Sequence, residues 1–93
     1  MSATAMADSA PVDKALLAEA RATLSDITHV TPLLHAPALD RALGARVLVK
    51  AECLQLTGSF KLRGAYFRLT RLTATERRSG AVAFSSGNFA QGL

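Results

Sequence analysis

Apolar residues recur along the first third of the chain at intervals of three and four. From Asp13 to about Asp26, with Ile27 just beyond, the positions Leu16, Leu17, Ala20 and Leu24 put one apolar stripe on a helix, and Asp13 is suited to cap its first amides. Thr31-Pro32-Leu33-Leu34 breaks that period, because proline lacks an amide hydrogen and holds its predecessor out of the helical region, so a short extended piece is predicted. Ala38 to Leu43 predicts a short helix closed by Gly44 as a left-handed cap, and Arg46 to Glu52 has the β-branched, apolar centre of a buried strand.

The strongest helical pattern runs from Ser59 to about Leu72, where Leu62, Ala65, Tyr66 and Leu69 share one face and Ser59 is placed as N-cap. Lys61 falls at the border of that stripe, where a lysine is partly desolvated. Thr73 to Gly80 is a polar connection with room for an extra helical turn, and Ala81-Val82-Ala83-Phe84-Ser85 reads as a second buried strand. Ser86-Gly87-Asn88 breaks it, and Phe89 to Leu93 starts another helix that the chain leaves unfinished, so a fragment is expected. The order strand, helix, strand predicts a βαβ unit of a parallel sheet with a right-handed crossover. Lys61 then follows the carboxyl end of one strand and Ser85 to Asn88 that of the other, which brings both to the sheet edge where α/β folds bind ligands.

Composition changes this picture little. The chain has 93 residues, 49% hydrophobic and 19% charged, as expected of one folded region, residues 13–93, behind a mobile tail at residues 1–12. No apolar run reaches the ~18 residues a membrane span needs, and the tail lacks the cationic start and apolar core of a secretory signal, so a cytoplasmic protein with no membrane partner is expected. The net charge of +4 is spread singly or in the pair Arg77-Arg78, without the aromatic and basic platform of a single-strand binder, so nucleic acid is not expected as a partner. A basic, non-enzymatic binding module remains a distant alternative. Cys53 is the single cysteine, which excludes an intrachain disulfide, and it reads as a small buried hydrophobe. His29 and His35 have no carboxylate or cysteine arranged with them, so no metal site is expected; Arg63 reads as a structural ion-pair partner, with Glu52 a candidate for the other half.

The chemistry-bearing stretches are Thr57-Gly58-Ser59-Phe60-Lys61 and Ser85-Ser86-Gly87-Asn88. Each offers small polar residues at a helix start, a nucleophile or hydroxyls beside it, and a glycine that permits close approach. Together, Lys50 to Ala65 and the loop Ser85-Ser86-Gly87-Asn88-Phe89-Ala90-Gln91-Gly92 resemble the hallmark segments of the fold-type II pyridoxal phosphate enzymes, in particular the serine/threonine dehydratase and serine racemase group, and the resemblance extends back to Thr31-Pro32-Leu33.

That resemblance implies the N-terminal portion of an α/β fold like that of tryptophan synthase β, incomplete here, with pyridoxal 5'-phosphate as cofactor. It makes Lys61 the lysine that holds the cofactor as a Schiff base and then shuttles the substrate α-proton. Phe60 would lie against the cofactor ring and Asn88 would bond its 3-hydroxyl. Ser85, Ser86, Gly87, Asn88 and Phe89 would hold the substrate carboxylate, and Ser86 matches a second, opposite-face base. The implied reaction converts L-threonine or L-serine to a 2-oxo acid and ammonia in a homo-oligomeric full-length protein, with racemisation, β-replacement and threonine synthesis as alternatives. The phosphate-binding loop and any cation site would lie beyond Leu93, so these residues alone are expected to be inactive. Phe89 departs from the histidine usual in the family, which leaves substrate choice open.

Overall fold

A computed structural model describes residues 11–93; of the tail expected at residues 1–12, all but Pro11 and Val12 lies outside the described residues. Helix α1 spans Lys14–Leu24, and the Asp13 side chain accepts from the Leu16 amide at 2.8 Å, the cap its sequence predicts. Strand β1 is Leu33–His35, helix α2 is Pro37–Leu43 with Gly44 closing it at φ 63°, and strand β2 is Leu48–Lys50. Two short 3-10 turns, Glu52–Leu54 and Leu56–Gly58, lead into α3, Lys61–Thr70. Helix α4 is Ala74–Ser79, opened by a reciprocal pair of bonds between Thr73 and Glu76, and α5 is Asn88–Gly92. Among the described residues no helix is long and apolar enough to cross a membrane.

The predicted parallel βαβ unit is not what forms. β1 and β2 pair antiparallel, with Leu33 opposite Lys50 and His35 opposite Leu48, and residues 81–85 join no ladder among the described residues. A strand needs a neighbour to satisfy its backbone groups, and among the described residues none pairs with this segment. Val82 and Phe84 are fully exposed while Ala83 and Ser85 are half-buried, so the alternation expected of a strand is kept without the sheet. The predicted buried strand at residues 46–52 likewise shortens to β2 and lies exposed, because two strands alone leave both faces uncovered.

What is buried gathers around α3. Leu62 and Ala65 lie on its inner face, Ala65 with no exposed surface, and α1 and α5 both pack against that helix. Arg71, the C-cap of α3, also pairs with Glu19 of α1, and its guanidinium lies over the Phe67 ring at 5.3 Å, which accounts for a phenylalanine on the polar side of the helix.

A second, polar centre lies between the end of α1 and the 3-10 turns. Gln55, 4% exposed, uses its whole side-chain amide: Oε1 accepts from the amides of His29 at 2.8 Å and Leu56 at 3.1 Å, and Nε2 donates to the His29 carbonyl at 3.0 Å and to Glu52 Oε2 at 3.2 Å. Arg63 Nε and Nη2 donate to Glu52 Oε1 at 3.0 and 2.6 Å, and buried Thr31 donates to the same oxygen at 3.2 Å. The ion pair read from the sequence is thus formed. Cys53 is exposed and not buried, because Glu52 and Gln55 take the inward positions of its turn.

Burial of the Glu52 carboxyl opposes its ionisation, but hydrogen bonds from Arg63, Gln55 and Thr31, with the charge of Arg63, outweigh it and hold the pKa below the ordinary value of 4.5. A depressed carboxylate pKa stabilises the fold fully above the unfolded value and loses that contribution as pH falls through the folded one. Glu52→Gln is therefore expected to lower stability by about 1–3 kcal/mol at neutral pH. In denaturant titrations, the gap between the wild type and the variant should close as pH falls below the ordinary carboxylate range; a gap independent of pH would mean that the charge of Glu52 contributes nothing.

Candidate active site

The segment that delivers Lys61 is held in an unusual conformation. Thr57 has φ 64° and Gly58 φ 77°; for a β-branched residue the left-handed region costs about 1–3 kcal/mol, and it persists only where the surroundings impose it. Here Gln55 and Ser59, both buried, fix the segment on either side, and the Gly58 amide donates to the Gln55 carbonyl at 2.8 Å. Thr57 Oγ1 is buried without a hydrogen-bond partner among the described residues. Helix α3 starts at Lys61, two residues later than predicted: Ser59 is extended, and its hydroxyl accepts from the Lys61 amide at 3.3 Å in place of an N-cap bond farther along.

Lys61 itself is exposed, not half-buried at the edge of the apolar stripe, because that stripe is covered by α5 only from Leu62 inward. Its Nζ lies over the Phe60 ring at 5.2 Å and forms no salt bridge among the described residues. Lys61 lines an open groove of about 690 Å³ together with Phe84, Ser85, Ser86, Gly87, Asn88 and Phe89. The two stretches singled out in the sequence therefore do converge, although by α5 packing on α3 and not across a parallel sheet. Phe60 touches the lysine without lining the groove, and Phe84 lines it although its sequence reading is that of a strand core residue.

Within the turn, Ser85 Oγ accepts from the amides of Gly87 and Ala90, both at 3.2 Å, so those amides are engaged. The amides of Ser86, Asn88 and Phe89 have no partner among the described residues. Ser86, Gly87 and Asn88 are exposed; Phe89 is half-buried and also faces an apolar groove with Ala65, Leu69 and Leu93. Gln55 and Thr31 were not legible as supports of this site, since a buried polar pair far apart in sequence has no local signature. No group of His, Cys, Asp and Glu that could hold a metal occurs among the described residues.

The donor set suits an aldehyde cofactor with an acidic ring hydroxyl: an unpaired primary amine, a carboxamide, two hydroxyls and unengaged amides open on one groove. A family model described as pyridoxal-phosphate dependent enzyme matches residues 24–93. L-threonine ammonia-lyase of Thermotoga maritima is 45% identical over 75 residues, 81% of this chain and 19% of that protein. L-threo-3-hydroxyaspartate ammonia-lyase of a Pseudomonas species is 49% identical over 70 residues, 75% of this chain and 22% of that protein. The solved structure of maize serine racemase superposes with a TM-score of 0.73 at 34% identity, covering 85% of this chain and 25% of the racemase. The chain thus spans about a fifth of the length of these curated relatives.

Removing the Ser85 hydroxyl leaves two helix-start amides without their acceptor. Ser85→Ala is expected to cost about 0.5–2 kcal/mol, with faster hydrogen exchange at the Gly87 and Ala90 amides as the local measurement; unchanged exchange there would show that the bonds do not hold the turn.

Proposed function

Because the chain belongs to the pyridoxal-phosphate dependent enzymes of fold type II, we propose that it forms part of an ammonia-lyase that converts L-threonine or L-serine to a 2-oxo acid and ammonia. The activity is proposed of the whole protein, of whose relatives this chain spans about a fifth. The observation that carries the reading is an unpaired Lys61 amine opening on the same groove as the Ser85 to Phe89 turn.

Pyridoxal phosphate, the cofactor of the family, supplies when bound an electron sink for the charge that develops at the substrate α-carbon. Lys61 Nζ would hold the cofactor and, as a free amine, would serve as the base toward the substrate α-proton. The Asn88 carboxamide would serve the cofactor's ring hydroxyl, and Phe60, whose ring lies against Lys61 Nζ, would flank the attachment point. The amides of Ser86, Asn88 and Phe89 and the hydroxyls of Ser85 and Ser86 receive the substrate carboxylate. Lys61 is the sole cation on the groove's described walls, and Phe84 and Phe89 give it an aromatic, uncharged flank.

A second reading is racemisation, favoured by Ser86 on the groove and by the likeness to maize serine racemase; chiral analysis of the product from L-serine separates the two.

Lys61→Ala is expected to abolish the visible absorption of bound cofactor and to lower turnover by about 10²-fold or more. Turnover retained at the wild-type level would overturn the assignment. Phe89→His is expected to keep the cofactor absorption while changing the ratio of kcat/KM between threonine and serine by about tenfold; lost cofactor with an unchanged ratio would make Phe89 a determinant of cofactor binding instead.

A further inference from the structure

Gly92 ends α5 and lies over the first turn of α3. A Cβ at this position would stand 3.1 Å from Leu62 Cα, 3.1 Å from Leu62 N and 3.4 Å from the Lys61 carbonyl carbon. All three are backbone atoms of a helix, so no change of rotamer makes room, and even alanine requires the two backbones to give by a few tenths of an ångström. The requirement is one of space, since the φ of Gly92 lies outside the left-handed region; at Gly64 and Gly87 an added Cβ would meet nothing within 4 Å.

The consequence reaches the groove. Gly92 lies one helical turn from Asn88, and the turn before α5 is tied to that helix by Ser85 Oγ, which accepts from the Ala90 amide. On the other side of the contact stands the backbone of Lys61, which lines the groove. The contact of Gly92 with the Lys61 and Leu62 backbone therefore joins the two helices that carry the groove's walls.

We propose that Gly92 is a positioning residue: by letting the α5 backbone touch that of Lys61 and Leu62, it sets the distance between the Lys61 amine and the Ser86 to Asn88 turn. The proposal rests on the reading of this groove as the cofactor and substrate site. It places substrate binding, more than cofactor attachment, under the control of a residue that touches neither.

The test uses the whole cofactor-bound protein with L-threonine and L-serine. Gly92→Ala should keep wild-type visible cofactor absorption per subunit while raising KM about tenfold, with kcat changed less than about threefold. Leu62→Val, which trims a buried side chain under the same crossing and leaves the backbone contact intact, should lower the unfolding midpoint without moving KM. An unchanged KM in Gly92→Ala overturns the proposal. So does an equal rise in Leu62→Val, which would mean general loosening, or a Gly92→Ala protein that does not fold, which would make the contact a support of the fold. A wild-type protein that binds no pyridoxal phosphate overturns the functional reading and the proposal with it, whereas wild-type-like kinetics in Gly92→Ala overturn the proposal alone.

Discussion

With its oxygen accepting from the His29 amide and its nitrogen donating to the His29 carbonyl, the Gln55 side chain bonds a distant backbone as a neighbouring strand would. Its remaining capacity goes to the Leu56 amide and to Glu52, which in turn holds Arg63 in α3. One buried amide thereby connects the end of α1, the 3-10 turns and the helix that carries Lys61. Because every polar atom of the Gln55 amide and the Glu52 carboxylate has a partner, the low local dielectric strengthens the bonds and raises the cost of breaking any one of them. The ladder between β1 and β2 runs into the same centre, since the Ala51 amide donates to the Pro32 carbonyl just beyond the paired strands.

This centre explains how the chain sustains a threonine in the left-handed region immediately before Lys61. Thr57 and Gly58 sit between buried Gln55 and buried Ser59, so the segment has its ends fixed and reverses direction within two residues. The strain is local and the bonds that oppose it are not, which is how a functional loop holds a conformation its own residues disfavour.

Local structure was legible in the sequence wherever one residue sufficed to impose it. Asp13 caps α1, Gly44 closes α2, and Thr73 with Glu76 opens α4 within the polar connection expected there. Arg63 was legible as an ion-pair partner, because a cation on the polar side of a helix seeks an anion, but its pairing with Glu52 was not, since it depends on how the 3-10 turns fold back on α3. Strand identity was not, since the apolar content of residues 46–52 and 81–85 specifies a preference for sheet but neither its partner nor its direction, and both depend on chain distant in sequence. For the same reason Cys53 and Lys61 were assigned more burial than they have: hydrophobic neighbours along the chain are not neighbours in space. The convergence of Lys61 with Ser85 to Asn88 was legible, but its cause was not, as it comes from α5 on α3.

The two walls of the groove are held by different physics. Lys61 is placed through a polar network that is partly buried, directional and dependent on the charge of Glu52. The opposite turn is placed by contact: Gly92 against backbone, Phe89 half-buried toward Ala65 and Leu69, and a single hydroxyl, that of Ser85, closing the start of α5. Directional bonds resist rotation, whereas close packing resists approach, so the first fixes where the amine is and the second how near the turn can come. Replacing the family's histidine by Phe89 fits that division, because the position is part of the packed wall, where apolar area stabilises and a titratable ring would be partly desolvated.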